Sequence, residues 1–181
     1  MGLRRRAKSH LEDYLGEFVY GGMDGAVTTF AVVAGATGAS FDTKVLLVLG
    51  MANLIADGFS MSVGSYLSNK SSLELRARKG KTIDDEPSPI IKGFMTYVAF
   101  ILVGFVPLLT YVLSLVFDVQ VENPFLIACL LTGLAFVSIG IMKSRVAQTP
   151  LPRALLETLV LGALAAGSAY ILGDSLERLI T

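Results

Sequence analysis

The chain of 181 residues has one cysteine, Cys129, and one histidine, His10. A disulfide framework, a zinc finger and any chemistry that needs a histidine pair are therefore excluded. Charge is scarce as well: only 17% of residues are Asp, Glu, Lys or Arg, and fifteen acids cancel fifteen bases. With no basic excess there is no electrostatic case for nucleic acid as a partner. What the chain has instead is apolar residues, 53% of the total, with a mean hydropathy of +0.65. A soluble domain carries nearer a quarter charged residues. The composition is that of a small integral membrane protein whose chemistry must come from carboxylates, amides and methionines.

Five apolar runs are long enough to cross a bilayer core, which takes about 20 helical residues: 18–39, 45–67, 93–117, 125–142 and 154–173. Each span must satisfy its own backbone in lipid, so the expected fold is an all-α bundle of five transmembrane helices. Residues 1–17 read as a cytoplasmic N-terminal segment, and 18–181 as one transmembrane domain with a cytoplasmic linker at 68–92. Thirteen of the fifteen Lys and Arg residues fall before span 1, between spans 2 and 3, or between spans 4 and 5, leaving Lys44 and Arg178 for the other side. The positive-inside rule then places the N-terminus in the cytoplasm and the C-terminus outside. Ala34-Gly35-Ala36 resembles a signal-peptide cleavage site, but the first run is too long for that reading and contains Asp24. In the linker, Lys70 to Lys79 is expected to extend the second helix. Asp84, Asp85 and Glu86, among prolines, read as solvated acids that attract cations without forming a site. No internal duplication is evident, and five spans do not divide into two equal halves.

Only Asp24, Asp57 and Glu157 place charge inside the spans. An ionisable residue within a membrane is costly, and its first reading is functional. On a helix advancing 100° per residue, Asp13, Glu17 and Asp24 fall within about 40° of one another, and Thr28 continues the line. Three acids climbing from the cytoplasmic surface resemble a cation ladder. Span 2 carries a second stripe, with Asn53, Asp57 and Met61 at i, i+4 and i+8 and Ser60, Gly64 and Ser68 on the same side. Asp24 and Met61 each lie roughly 9 Å inside the cytoplasmic boundary. A hard carboxylate and a soft thioether at one level suit Fe²⁺ better than Mg²⁺ or Ca²⁺.

Every one of these residues also has a structural reading. Asp24 would cap a helix break at Gly21-Gly22, Asp57 would bond a neighbouring helix, and Met61 would pack. Glu157 would snorkel to the interface, Cys129 would belong to the core, and Asp13 and Glu17 would be ordinary acids near a helix start. Gly21-x-x-x-Gly25 permits close helix packing. Because one chain offers few ligands at the level of Asp24, the expected architecture is a homodimer packed through helix 1.

The run Tyr20-Gly-Gly-Met-Asp-Gly-Ala-Val-Thr-Thr-Phe-Ala-Val-Val-Ala-Gly35 resembles the first-helix signature of the vacuolar iron transporter family. Asn53-Leu-Ile-Ala-Asp-Gly-Phe-Ser-Met-Ser-Val-Gly-Ser-Tyr-Leu-Ser68 resembles its second-helix signature, and Gly162-Ala-Leu-Ala-Ala-Gly-Ser-Ala-Tyr170 is similar to its last helix. The resemblance implies a dimeric five-helix carrier that exports Fe²⁺, often Mn²⁺, from the cytoplasm in exchange for protons, along an interface lined by the first helices. Asp24 and Met61 match the family's intramembrane aspartate and methionine, and Asp13 and Glu17 match its entrance acids. Two departures stand out. Asn53 replaces a glutamate, with Asp57 one turn away as the group to compensate, so Asp24 and Asp57 are the candidates for proton coupling. The linker is too short for the family's glutamate-rich cytoplasmic domain, so iron capture by that domain does not carry over.

The resemblance thus points to an integral, multi-pass protein in the plasma membrane of a prokaryote or a vacuole-type membrane of a eukaryote. Its expected partners are divalent metal ions, protons, lipid and a second copy, with no tightly bound cofactor. The competing class is a non-transporting membrane subunit or scaffold whose intramembrane acids are structural. An intramembrane enzyme finds little support, since no serine–lysine or Cys–His pairing falls within a span.

Overall fold

The computed structural model describes residues 2–80, 86–117 and 121–180, with side chains from Leu11 onward. The described residues form six helices: α1 Gly2–Gly38, α2 Thr43–Arg78, α3 Pro89–Gly104, α4 Val106–Phe117, α5 Pro124–Val146 and α6 Leu151–Ile180. Among them α1, α2, α5 and α6 are each long and apolar enough to span a membrane. The all-helical membrane fold expected from the apolar runs is what the chain adopts.

The third run differs in form. Read as continuous over 93–117, it is two helices bent by 53° at Phe105. Pro107, the second residue of α4, has no N–H to give Val103, and its ring crowds the preceding turn. The α3 ladder therefore closes at Phe105, whose N–H bonds the Ile101 carbonyl at 3.0 Å. Together α3 and α4 are long and apolar enough to make a fifth span. The linker is also shorter than 68–92. As expected, α2 continues through Lys70, here as far as Arg78, and α3 begins at Pro89, leaving 79–88 between them. Arg76 pairs with Glu86 across that connection, and the Tyr14 hydroxyl accepts from the Ser88 N–H at 3.2 Å. Asp84 and Asp85 lie outside the described residues.

At the other end of α1 the chain reverses in four residues. Ser40 takes a left-handed conformation (φ 53°), and the Asp42 carboxylate caps α2 by accepting from the Lys44 N–H at 2.8 Å.

Helix α1 is the axis of the bundle. The others form an arc around it in which α2 packs on α3, α3 on α4, α4 on α5 and α5 on α6, and each of the five also touches α1. The arc does not close, because α6 and α2 form no packed pair. Two apolar clusters fill it: Val33, Leu54, Phe100 and Leu108 on the side of α2 to α4, and Ala26, Phe30, Phe136 and Ile139 toward α5 and α6. Phe59, Leu130, Leu134, Leu164 and Ile171 point outward, as side chains facing lipid do.

Small residues set how closely the helices approach. A Cβ on Gly25 would lie 2.5 Å from the Phe100 carbonyl oxygen, and one on Gly21 would run into that of Thr96. Gly21-x-x-x-Gly25 is thus a helix-packing pair as the sequence suggests, but its partner is α3 of the same chain. The face assigned to a second copy is occupied, and a contact between copies through α1 would need another side of that helix. In the C-terminal half of α1, Gly38 abuts the Tyr170 backbone of α6, and Gly173 of α6 abuts the Gly35 carbonyl.

Candidate functional site

The gap between α2 and α6 leaves one stripe of α1 uncovered, and it is the stripe that carries the acids. Tyr20 is 56% exposed there. Asp24 is half-buried and lines a cavity of about 620 Å³ whose other wall is α6, through Leu161, Leu164, Ala165 and Ser168. Asp57 of α2 is likewise half-buried. Helix α1 runs unbroken past Gly21 and Gly22, so Asp24 is not the cap of a helix break. The Thr28 hydroxyl, next on the line, donates to the Asp24 backbone carbonyl at 2.9 Å.

One turn and a half toward the N-terminus lies a second cavity, of about 640 Å³, lined by Glu12, Asp13, Glu17, Tyr20, Ser65, Asn69 and Lys92 among others. Tyr20 lines both cavities, so the ladder read from the sequence has two storeys with Tyr20 between them. Asp13 is exposed at the mouth, whereas Glu17 is half-buried and fully engaged. Its Oε2 accepts from Ser65 Oγ at 2.9 Å and from Thr96 Oγ1 at 3.0 Å, and its Oε1 accepts from Asn69 Nδ2 at 3.2 Å. Three neutral donors hold the carboxylate in place. Glu17 therefore joins α1 to α2 and α3 as well as facing the cavity.

The α2 stripe is only partly assembled. Met61 is half-buried against the Leu54–Phe100 cluster and lines neither cavity, though part of its surface remains open. The Asn53 side-chain nitrogen is buried with no hydrogen-bond partner among the described residues. Among those residues, no three of His, Cys, Asp and Glu stand together as a metal cage within one chain.

Glu157, in the second turn of α6, pairs with Lys143 at 2.6 Å and Arg153 at 3.0 Å. Cys129 packs beside the Phe30–Phe136 cluster. The sequence reading missed Ser65, Asn69, Thr96 and Lys92 around Glu17, and Leu161 to Ser168 across from Asp24. Ser65 and Asn69, four residues apart on α2, were the one visible sign of a polar face turned toward α1.

Comparison with known proteins agrees with this arrangement. The VIT family profile matches residues 15–82 and 72–174. The vacuolar iron transporter of Toxoplasma gondii is 26% identical over 230 aligned positions, covering 93% of this chain and 76% of its own length. Vacuolar iron transporter homolog 4 of Arabidopsis thaliana is 29% identical over 154 positions, covering 81% of this chain and 76% of its own. Vacuolar iron transporter 1 of Arabidopsis thaliana is 23% identical over 218 positions, covering 90% and 86%. The first and third alignments are far longer than the stretch of this chain within them. Those two relatives carry several dozen residues without a counterpart here, whereas homolog 4 has no such excess. With its signature residues on the uncovered stripe of α1 and on α2, and with the profile spanning nearly all its helices, this multi-pass membrane protein belongs to the VIT family.

Proposed function

We propose that the protein carries divalent metal, Fe²⁺ or Mn²⁺, out of the cytoplasm in exchange for protons. The observation that carries this reading is the uncovered acidic stripe of α1, where a half-buried Asp24 stands above an acid-lined mouth. Two copies facing each other across the gap between α2 and α6 would bring two Asp24 and two Asp57 carboxylates together and complete a site that one chain holds only in half. The N-terminus and the mouth then face the cytoplasm, in keeping with the basic bias of that side.

The chemistry follows from the carboxylates. In a poorly hydrated site an ionised Asp24 is unfavourable alone and favourable beside a cation. Metal arrival therefore releases a proton and metal departure recovers one, and Asp57 shares that exchange. The Glu12, Asp13 and Glu17 end raises the local concentration of cations. In proteoliposomes, metal moving from the cytoplasmic side is expected to acidify that side, read with a pH-sensitive dye alongside metal flux. Flux with no counter-movement of protons would leave a uniporter.

The three-donor cage around Glu17 favours a second reading for that residue, as helix glue in a non-transporting subunit. A thermal-shift panel of divalent cations separates the two, because a scaffold gains no stability from metal.

Met61 is read as a soft ligand, one turn from Asp57 on α2. Leucine conserves its volume, and such swaps usually cost less than about 1.5 kcal/mol. Met61→Leu is expected to fold and to show a lower Fe²⁺/Mn²⁺ flux ratio than wild type in the same vesicles, because the softer ion loses more. An unchanged ratio at unchanged rates removes the thioether from the pathway.

A further inference from the structure

Lys92 is out of place by local rules. It lies in the first turn of α3, where the helix dipole disfavours a cation. It also lines the entrance cavity beside Glu12, Asp13 and Glu17, where a fixed positive charge opposes the attraction that the acids exert. It hydrogen-bonds a neutral amide: Nζ donates to Asn69 Oδ1 at 3.1 Å. That bond orients the amide. With its oxygen held by the ammonium, Asn69 turns its nitrogen to Glu17 Oε1 at 3.2 Å and to the Ser65 carbonyl at 2.8 Å. A residue set against local preference, with its charge spent on positioning a neighbour of the site, calls for a functional explanation.

We infer that Lys92 is a tethered counter-cation of the entrance: its ammonium competes with an arriving divalent ion for the acid-lined cavity and sets how much metal is needed to enter. The inference rests on reading that cavity as the metal entrance. While Lys92 is in place, Asn69 presents N–H groups to Glu17, and the cavity's negative charge is partly offset. When a divalent ion displaces the ammonium, the Asn69 amide is released to turn its oxygen toward the metal, and Glu17 exchanges neutral donors for a cation. Lysine suits this role because its compact charge rides on a flexible four-carbon stem.

The test is Mn²⁺ binding to purified full-length protein in detergent, followed by loss of the free Mn²⁺ resonance signal. Lys92→Gln is expected to bind Mn²⁺ about three- to tenfold more tightly than wild type, the order expected when one like charge is removed near a partly solvated site. Lys92→Met, which keeps the length of the stem, should behave alike and serves if the glutamine variant folds poorly. Lys92→Arg should stay near wild type, and adding Glu17→Gln to Lys92→Gln should erase the gain. In vesicles Lys92→Gln and Lys92→Met should lower the KM for Mn²⁺ with little change in maximal rate. A purely structural lysine would lower thermal stability and leave Mn²⁺ affinity unchanged or weaker; that result, or no Mn²⁺ binding by any of the proteins, overturns the inference. Wild-type protein that binds Mn²⁺ but moves none in vesicles would defeat the transport reading instead, with the detergent titration still deciding the role of Lys92.

Discussion

Asp24→Asn is expected to give a folded protein that no longer moves metal. The amide keeps the size of the carboxylate and most of its hydrogen bonding, and no ion pair among the described residues depends on Asp24. Stability should therefore change little. Transport should not survive, because Asp24 is the sole acid of α1 lining the cavity against α6, and an uncharged amide neither neutralises a divalent cation nor carries a proton. Where charges interact through a medium much less polar than water, losing one charged ligand costs roughly a hundredfold in affinity or more. Metal and proton fluxes in proteoliposomes, with size-exclusion elution as the check on folding, decide the matter. Metal flux near the wild-type rate would make Asp24 a structural residue.

Gly25→Val should do the opposite and strike the fold. The added Cβ would sit 2.5 Å from the Phe100 carbonyl oxygen, and the neighbouring contacts are backbone as well, so no side chain can swing aside to admit it. Pushing α1 away from α3 would also open the contact of Gly104 with the Gly25 carbonyl and loosen Leu54, which packs against Gly104. Overpacking commonly costs 1–3 kcal/mol, and a clash between two backbones belongs at the upper end, about 3 kcal/mol. The measurement is the thermal midpoint in detergent at several protein concentrations. A loss that is the same at every concentration places the contact within one chain. A loss that fades as concentration rises would return Gly25 to an interface between copies.

That second variant marks where the sequence stops being informative. The 3.6-residue period shows that Gly21 and Gly25 share a face, but not which helix fills it, since α3 and a second α1 would call for the same small residues. The membrane spans were legible because each long apolar run has one way to satisfy its backbone in lipid. The break in the third was not, although Pro107 was in view. A proline in a membrane helix bends it by an amount that its neighbours decide, and here Leu108 has to seat against Gly50 of α2.

The site was legible to a similar depth. Helical spacing was enough to put Asp13, Glu17 and Asp24 on one stripe. It could not show that Glu17 is caged by Ser65, Asn69 and Thr96, which lie 48 to 79 residues away in the chain. Nor could it show that Asp24 faces α6. Lys92 counted only toward orientation, because nothing in the order of residues reveals that its ammonium reaches an amide on α2.

The glycine contacts limit how such a protein can change shape. Side chains repack when helices slide, but backbone lying on backbone has nothing to yield. Gly21 and Gly25 fix α1 to α3, Gly38 and Gly173 fix it to α6, and Gly93 fixes α3 against the Ser62 carbonyl of α2. Four helices are thereby welded into one stiff block, with the acidic stripe of α1 along its open edge. If two such blocks pair as proposed, alternate exposure of a bound ion to the two sides of the membrane would fall to rocking of one whole protomer against the other, with each interior moving as a unit.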